Sequence, residues 1–205
     1  MPEAISLLLW DVGGVLLSNG WDHVSRRAAT AHFQLDPAEF ERRHARVEDD
    51  FETGRLDARG YLDTTVFYAP RPFSPEEFLE FMRQQSEPRP QAIAIARAVH
   101  DRGGYRQATL NNESRELNEY RIQRFGLATI FDDFFSSCYT GRRKPDPAAY
   151  RTALDVTHRS PEETLFLDDR PENVAAAERL GIRTLRVLDP GQLREGLARS
   201  GVALA

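Results

Sequence analysis

The chain has 205 residues, 40% of them hydrophobic and 29% charged, which suits one domain, or a domain carrying a modest insertion, with a sizeable core. A formal net charge of -5 without any basic run excludes nucleic acid as an expected partner. The single cysteine, Cys138, excludes an intrachain disulfide and is read as a core thiol.

The first predicted strand covers residues 5–10 (ISLLLW), far too short an apolar run to span a bilayer and without the basic start of a signal peptide. The expectation is therefore a cytoplasmic protein with no membrane partner, a monomer or a homodimer. The strand ends on Asp11, and Gly13 and Gly14 follow. Residues 18–90 then hold no convincing strand but four helical patterns, at 21–34, 37–52, 57–68 and 75–86. Trp21, Phe33, Phe40, Phe51, Tyr61, Phe67, Phe78 and Phe81 recur there as the inward faces of a small bundle.

After this interval the pattern alternates. "PQAIAIARAVHDRGG" predicts a helix, 105–110 a strand, 134–139 (FFSSCY) a third strand and "DPAAYRTALDVTH" a helix. Residues 164–167 predict a fourth strand, "RPENVAAAERLGI" a helix with Pro at its start and Gly at its end, and 182–188 a fifth strand. Strands separated by single helices imply an α/β fold: a doubly wound, Rossmann-like parallel sheet. A helical cap is inserted after the first strand, so the core takes residues 1–17 and 91–205 and the cap residues 18–90.

In such sheets ligands bind beyond the carboxyl ends of the strands. The predicted strands end on Asp11, on Asn111 and Asn112, before Lys144 in "YTGRRKPDP", and on Asp168 and Asp169 with Asn173 one turn later. Three carboxylates on one edge repel each other, and a hard divalent cation such as Mg²⁺ relieves that repulsion with oxygen ligands. Lys144 is the only lysine among 27 basic residues. Beside such a site it supplies a compact charge for an anionic substrate.

Four segments carry a resemblance: "LLLWDVGGVLL", "QATLNNES", "GRRKPDPAAY" and "TLFLDDRPENVAAAERLGI". In this order they resemble the four motifs of the haloacid dehalogenase-like hydrolases, and the resemblance covers the whole chain. The branch it resembles most is that of small cytoplasmic phosphatases, similar to bacterial sugar-1-phosphatases and to the N-terminal phosphatase domain of mammalian epoxide hydrolase. The resemblance implies Asp11 as the nucleophile that forms an aspartyl-phosphate and as a Mg²⁺ ligand, together with the Gly13 carbonyl, Asp168 and Asp169. It implies Lys144, Asn111 and Asn112 as phosphate-binding groups, with Lys144 also orienting Asp11, and Asn173 as the group that steadies the acid pair. The substrate it implies is a small phosphorylated metabolite.

Two positions depart from that pattern. The phosphatases carry a second aspartate where this chain has Gly13, and a Ser or Thr where it has Asn111. General acid–base help is worth roughly 100- to 10,000-fold in rate, so the first change weakens the expected turnover. Asp22 and His23 are the nearby groups that could lend an acid, set against ordinary roles as a helix cap and an exposed first-turn residue. Three readings follow: a metal-dependent phosphatase, a phosphate- and metal-binding or regulatory protein without turnover, and a dehalogenase-like C–X hydrolase.

Overall fold

Every side chain of β1 (Leu7–Trp10) is fully buried, which only the centre of a sheet covered on both faces allows. Leu8 and Trp10 point into one apolar cluster and Leu7 and Leu9 into another, as the period of two requires. The computed structural model describes residues 4–204 and shows a sheet of order β3-β2-β1-β4-β5, with all pairs parallel. The other strands are β2 (Arg106–Thr109), β3 (Asp133–Phe134), β4 (Thr164–Asp168) and β5 (Arg183–Arg186).

Four helices separate β1 from the rest of the sheet: α1 (His23–His32), α2 (Pro37–Glu52), α3 (Ala58–Thr65) and α4 (Pro75–Gln84). Asp22, Asp36, Asp57 and Ser74 cap their N-termini, and Pro37 and Pro75 sit in the first turn, where a missing N–H costs nothing. Their apolar faces make a third cluster containing all eight aromatics named above. Phe51 stacks on Tyr61 at 4.1 Å between ring centroids, and Phe33 packs on Phe78 at 4.7 Å.

The remaining helices are α5 (Pro90–Arg102), α6 (Arg115–Arg124), α7 (Ser137–Thr140), α8 (Pro147–Thr157), α9 (Pro171–Glu178) and α10 (Leu193–Arg199). Residues of α5 and α10 join one face of the sheet, and residues of α8 and α9 the other.

The third strand corrects the expectation. Only Asp133 and Phe134 pair with β2, and residues 137–139 of the expected strand belong to α7. The Ser136 hydroxyl bonds Asn111 and Asn118, and the Ser137 N–H donates to the Asn111 carbonyl, so the chain turns off the edge. Phe135 is buried and Phe134 half-buried in apolar packing, while Tyr139 is exposed. Cys138 is buried as a core thiol, and burial pushes it up to about 12, so it stays protonated. No described helix is long and apolar enough to cross a membrane.

Candidate active site

The register pairs Trp10 with Leu167, and the Asp11 N–H donates to the Leu167 carbonyl at 2.8 Å. Asp11 and Asp168 therefore leave adjacent central strands side by side, at the carboxyl edge. Lys144 reaches between them from the α7–α8 loop, with its Nζ 3.0 Å from Asp11 Oδ1 and 2.6 Å from Asp168 Oδ2. All three are buried.

The electrostatics follow from that burial. Desolvation pushes the Asp11 carboxyl up to about 7; Lys144 pulls it down, and Asp168 and Asp169 add to the rise. Burial works against the Lys144 charge, but Asp11 and Asp168 outweigh it and hold the ammonium above its usual range. Asp169 is also raised, first by burial and then by Asp168.

Asp168 is held from all sides. Its Oδ1 accepts from the Arg170 N–H at 2.8 Å, and the Asn173 amide donates to both carboxylate oxygens at 3.1 Å. Asp169 is different, because its Oδ1 is shielded from solvent and has no hydrogen-bond partner. One oxygen each from Asp11, Asp168 and Asp169 lies within 4.8 Å of the others. A crowded all-oxygen set with an orphaned carboxylate oxygen fits a hard divalent cation.

Asn112 anchors the lysine loop rather than standing free: its amide donates to the Lys144 carbonyl at 2.8 Å, and its Oδ1 accepts from the Lys144 N–H at 2.9 Å. It still lines the cavity described next. Asn111 departs from the expected phosphate contact. Its side chain is buried, donates to Asn118 Oδ1 at 3.1 Å and accepts from Ser136 at 2.9 Å, and does not line the cavity. A buried amide satisfied on both sides loses free energy by turning away from those partners.

Above this edge lies a cavity of about 270 Å³, lined from the core by Asp11, Gly13, Lys144 and Asn173 and from the helical insertion by Trp21, Asp22, His23, Arg26, Glu48 and Glu52. Asp22 caps α1, its Oδ1 accepting from Val24 and Ser25 N–H, and His23 is exposed. Sequence reasoning missed Glu48, Glu52, Arg121 and Arg143, which also border the cavity. Arg143 was findable as the neighbour of Lys144; Glu48 and Glu52 sit among many acids on α2, and nothing in the helical period singles them out.

A family model of haloacid dehalogenase-like hydrolases matches residues 5–181. The chain belongs to this family. Among curated relatives of the hydrolase, the sesquiterpene phosphatase astK of Aspergillus oryzae is 42% identical over 60 residues, 29% of this chain and 31% of that protein. Bifunctional epoxide hydrolase 2 of Rattus norvegicus is 39% identical over 70 residues, 34% of this chain and 13% of that one. A phosphoglycolate phosphatase of Aquifex aeolicus is 24% identical over 121 residues, 55% of this chain and 56% of that one. The hydrolase spans less than two thirds of each of these relatives. In fold it is similar to a haloacid dehalogenase family enzyme of Bacteroides thetaiotaomicron, with a TM-score of 0.78 at 20% identity over 90% of this chain and 94% of the other. That enzyme has also been solved in complex with magnesium and inorganic phosphate, a structure that matches at a TM-score of 0.73 and 19% identity over 89% and 94% of the two chains.

Proposed function

We propose that the hydrolase is a Mg²⁺-dependent phosphatase of a small phosphorylated metabolite, acting through an aspartyl-phosphate on Asp11. The observation that carries this reading is the Lys144 ammonium set between Asp11 and Asp168, beside an orphaned Asp169 oxygen. Relatives named as phosphatases, and a fold neighbour solved with magnesium and phosphate, support it.

Asp11, Asp168, Asp169 and the Gly13 carbonyl would hold the cation. Bound there, Mg²⁺ neutralises the clustered acids and offsets charge on phosphoryl oxygens. Lys144 holds one Asp11 oxygen in place, leaving the carboxylate to attack phosphorus through the other. An O–P bond to Asp11 forms, the ester P–O bond breaks, and water then hydrolyses the aspartyl-phosphate to free Asp11 and phosphate. Asn173 steadies Asp168, and Asn112 steadies the loop that presents Lys144. Arg26 is paired with Glu41 and Arg143 with acids of α2, so the upper cavity is polar and nearly charge-balanced, suited to a small polar leaving group.

Gly13 favours a second reading, a protein that binds phosphate and metal without turnover, since no side chain at 13 protonates the leaving group. A panel of p-nitrophenyl phosphate, acetyl phosphate, sugar 1-phosphates and 2-haloacids, with and without Mg²⁺, separates the readings. Metal-dependent phosphate release is expected, lost in Asp11→Asn while vanadate still binds. Persistent turnover in that variant overturns the aspartyl-phosphate, binding without turnover supports the second reading, and metal-free halide release supports a dehalogenase.

A further inference from the structure

In-line displacement puts the leaving oxygen on the far side of phosphorus from Asp11, toward the part of the cavity roofed by the helical insertion. A proton source for that oxygen therefore has to come from the acids of that roof. The Asp22 carboxylate caps α1, and the Glu48 side chain is 40% exposed. On the core side Glu113 is closed off by a 2.7 Å ion pair with Arg121. Glu52 is different.

We propose that Glu52, the last residue of α2, delivers the proton to the leaving oxygen that Gly13 cannot supply, and then takes a proton from the water that hydrolyses the aspartyl-phosphate. The proposal rests on the phosphatase reading and names a catalytic residue for it. In the first step the Glu52 O–H bond breaks and the leaving alcohol's O–H forms as the ester P–O bond opens. In the second the Glu52 carboxylate receives the water proton, so the cycle closes with no other reactant.

Position supports the assignment first. The Glu52 carbonyl accepts a 2.6 Å hydrogen bond from Ser137 Oγ on α7, so its own backbone is tied to the core. Two residues on, a Cβ at Gly54 would overlap the Cys138 carbonyl, which presses the end of α2 closely onto α7. A proton donor carried on an inserted helix needs such an anchor, because proton transfer tolerates only hydrogen-bond distances. Arg143, whose neighbour Lys144 touches Asp11, approaches Glu52 Oε2 with its Nε at 2.8 Å. That oxygen is shielded from solvent, and the contact is an ion pair without hydrogen-bond geometry, so Arg143 opposes protonation of the carboxyl through charge alone.

The charge environment agrees. Glu52 faces Arg143 from the α7–α8 loop, Glu113 from the β2–α6 loop, Arg170 from the β4–α9 loop, and Glu48 on its own helix. Burial pushes it up to about 7, Arg143 opposing and Glu113 and Glu48 adding to the rise. A group poised there gives and takes protons at neutral pH.

The test compares wild type, Glu52→Gln, Glu52→Asp and His23→Gln, all with Mg²⁺, on p-nitrophenyl phosphate and on glycerol 2-phosphate. Glu52→Gln should lower kcat/KM for the alkyl ester by about 100-fold or more and for the aryl ester by less than about 10-fold. Glu52→Asp should show the same selectivity, and adding Gly13→Asp to Glu52→Gln should restore alkyl turnover, which a merely structural role for Glu52 would not allow. Wild type should also lose alkyl, but not aryl, turnover as pH rises through about 7, a readout that needs no variant. Equal losses on both esters, no loss, or selective loss in His23→Gln instead overturns the proposal. If wild type hydrolyses neither ester, the phosphatase reading falls and Glu52 with it; turnover without the selectivity sinks Glu52 alone.

Discussion

Positions 13 and 14 are both glycine, for opposite physical reasons. Gly14 has φ +80°, and a Cβ there would overlap the Asp169 carboxylate, so the backbone and the acid cluster both require its hydrogen. Gly13 has no such constraint: an added Cβ would come tight only on Asn19 Oδ1 at 3.2 Å, which a small shift of that side chain relieves, and would sit at ordinary contact distance from the Asn19 Cα and the Ser18 carbonyl. The missing acid is thus a chemical choice rather than a steric necessity. Gly13→Asp should fold and, in a Glu52→Gln background, should raise hydrolysis of alkyl phosphates more than that of aryl or acyl phosphates, by up to roughly 100-fold. Equal gains across leaving groups, measured as kcat/KM, would remove the leaving-group argument. At the same scale, Asn111 was legible as a strand-end amide but not as a packed one, because its partners Asn118 and Ser136 come from a helix and a turn further along.

At the scale of one helix, α2 joins the insertion's interior to the cavity. His44 is buried within it, its Nδ1 3.0 Å from the Tyr61 hydroxyl, which accepts from Trp21 Nε1 at 2.8 Å. Burial, with Arg26 adding, pushes the imidazole down to about 4, and its Nε2 is shielded without a hydrogen-bond partner. The unfolded chain therefore binds this proton near pH 6.5 while the folded chain refuses it. The stability from His44 is full above about 6.5 and is lost as pH falls toward about 4, by about 3 kcal/mol. Asp11 and Glu52, raised by the fold, work in the opposite direction, so the measurement is the difference between wild type and His44→Gln. Urea unfolding at pH 7.5 and 4.5 should show a smaller loss on acidification in the variant; parallel losses would mean His44 is not the titrating group.

Across the whole molecule, one buried ion pair ties the sheet to both chain crossings of the insertion. Arg121 on α6 pairs with Glu113 at 2.7 Å, donates through Nε to Ser86 at 3.0 Å and reaches the Ser18 carbonyl at 3.5 Å. Ser18 and Ser86 lie on the two connections, and a Cβ at Gly20 would overlap the guanidinium. The connections also hold each other, Ser18 Oγ donating to the Gln85 carbonyl at 2.7 Å and the Ser18 N–H to the Glu87 carbonyl at 2.8 Å. Arg121→Met leaves Glu113 buried and unpaired and should cost about 3–5 kcal/mol of unfolding free energy in urea. Adding Glu113→Gln should recover part of it. A loss below about 1 kcal/mol would mean that the pair contributes as little as a surface one.

By itself the sequence determined the order of the core strands and which chemistry-bearing residues follow their ends. The short continuous apolar run before Asp11, the lone lysine and the Asp168–Asp169 pair were legible because an apolar run of strand length and residue chemistry are local properties. The aromatics of residues 18–90 were legible as an apolar core for the same reason. What only the tertiary structure decided is which side chains meet across long stretches of chain. It shortened the third strand, because Ser136 and Asn111 bond each other there, and it turned Asn111 inward. It brought Glu52 and Arg143 to the cavity, on elements 91 residues apart in sequence. Helical patterning marks the apolar face of α2 but not which of its acids will face the sheet's carboxyl edge. That depends on how the end of α2 seats on α7, a contact set by Ser137 and the bare backbone of Gly54.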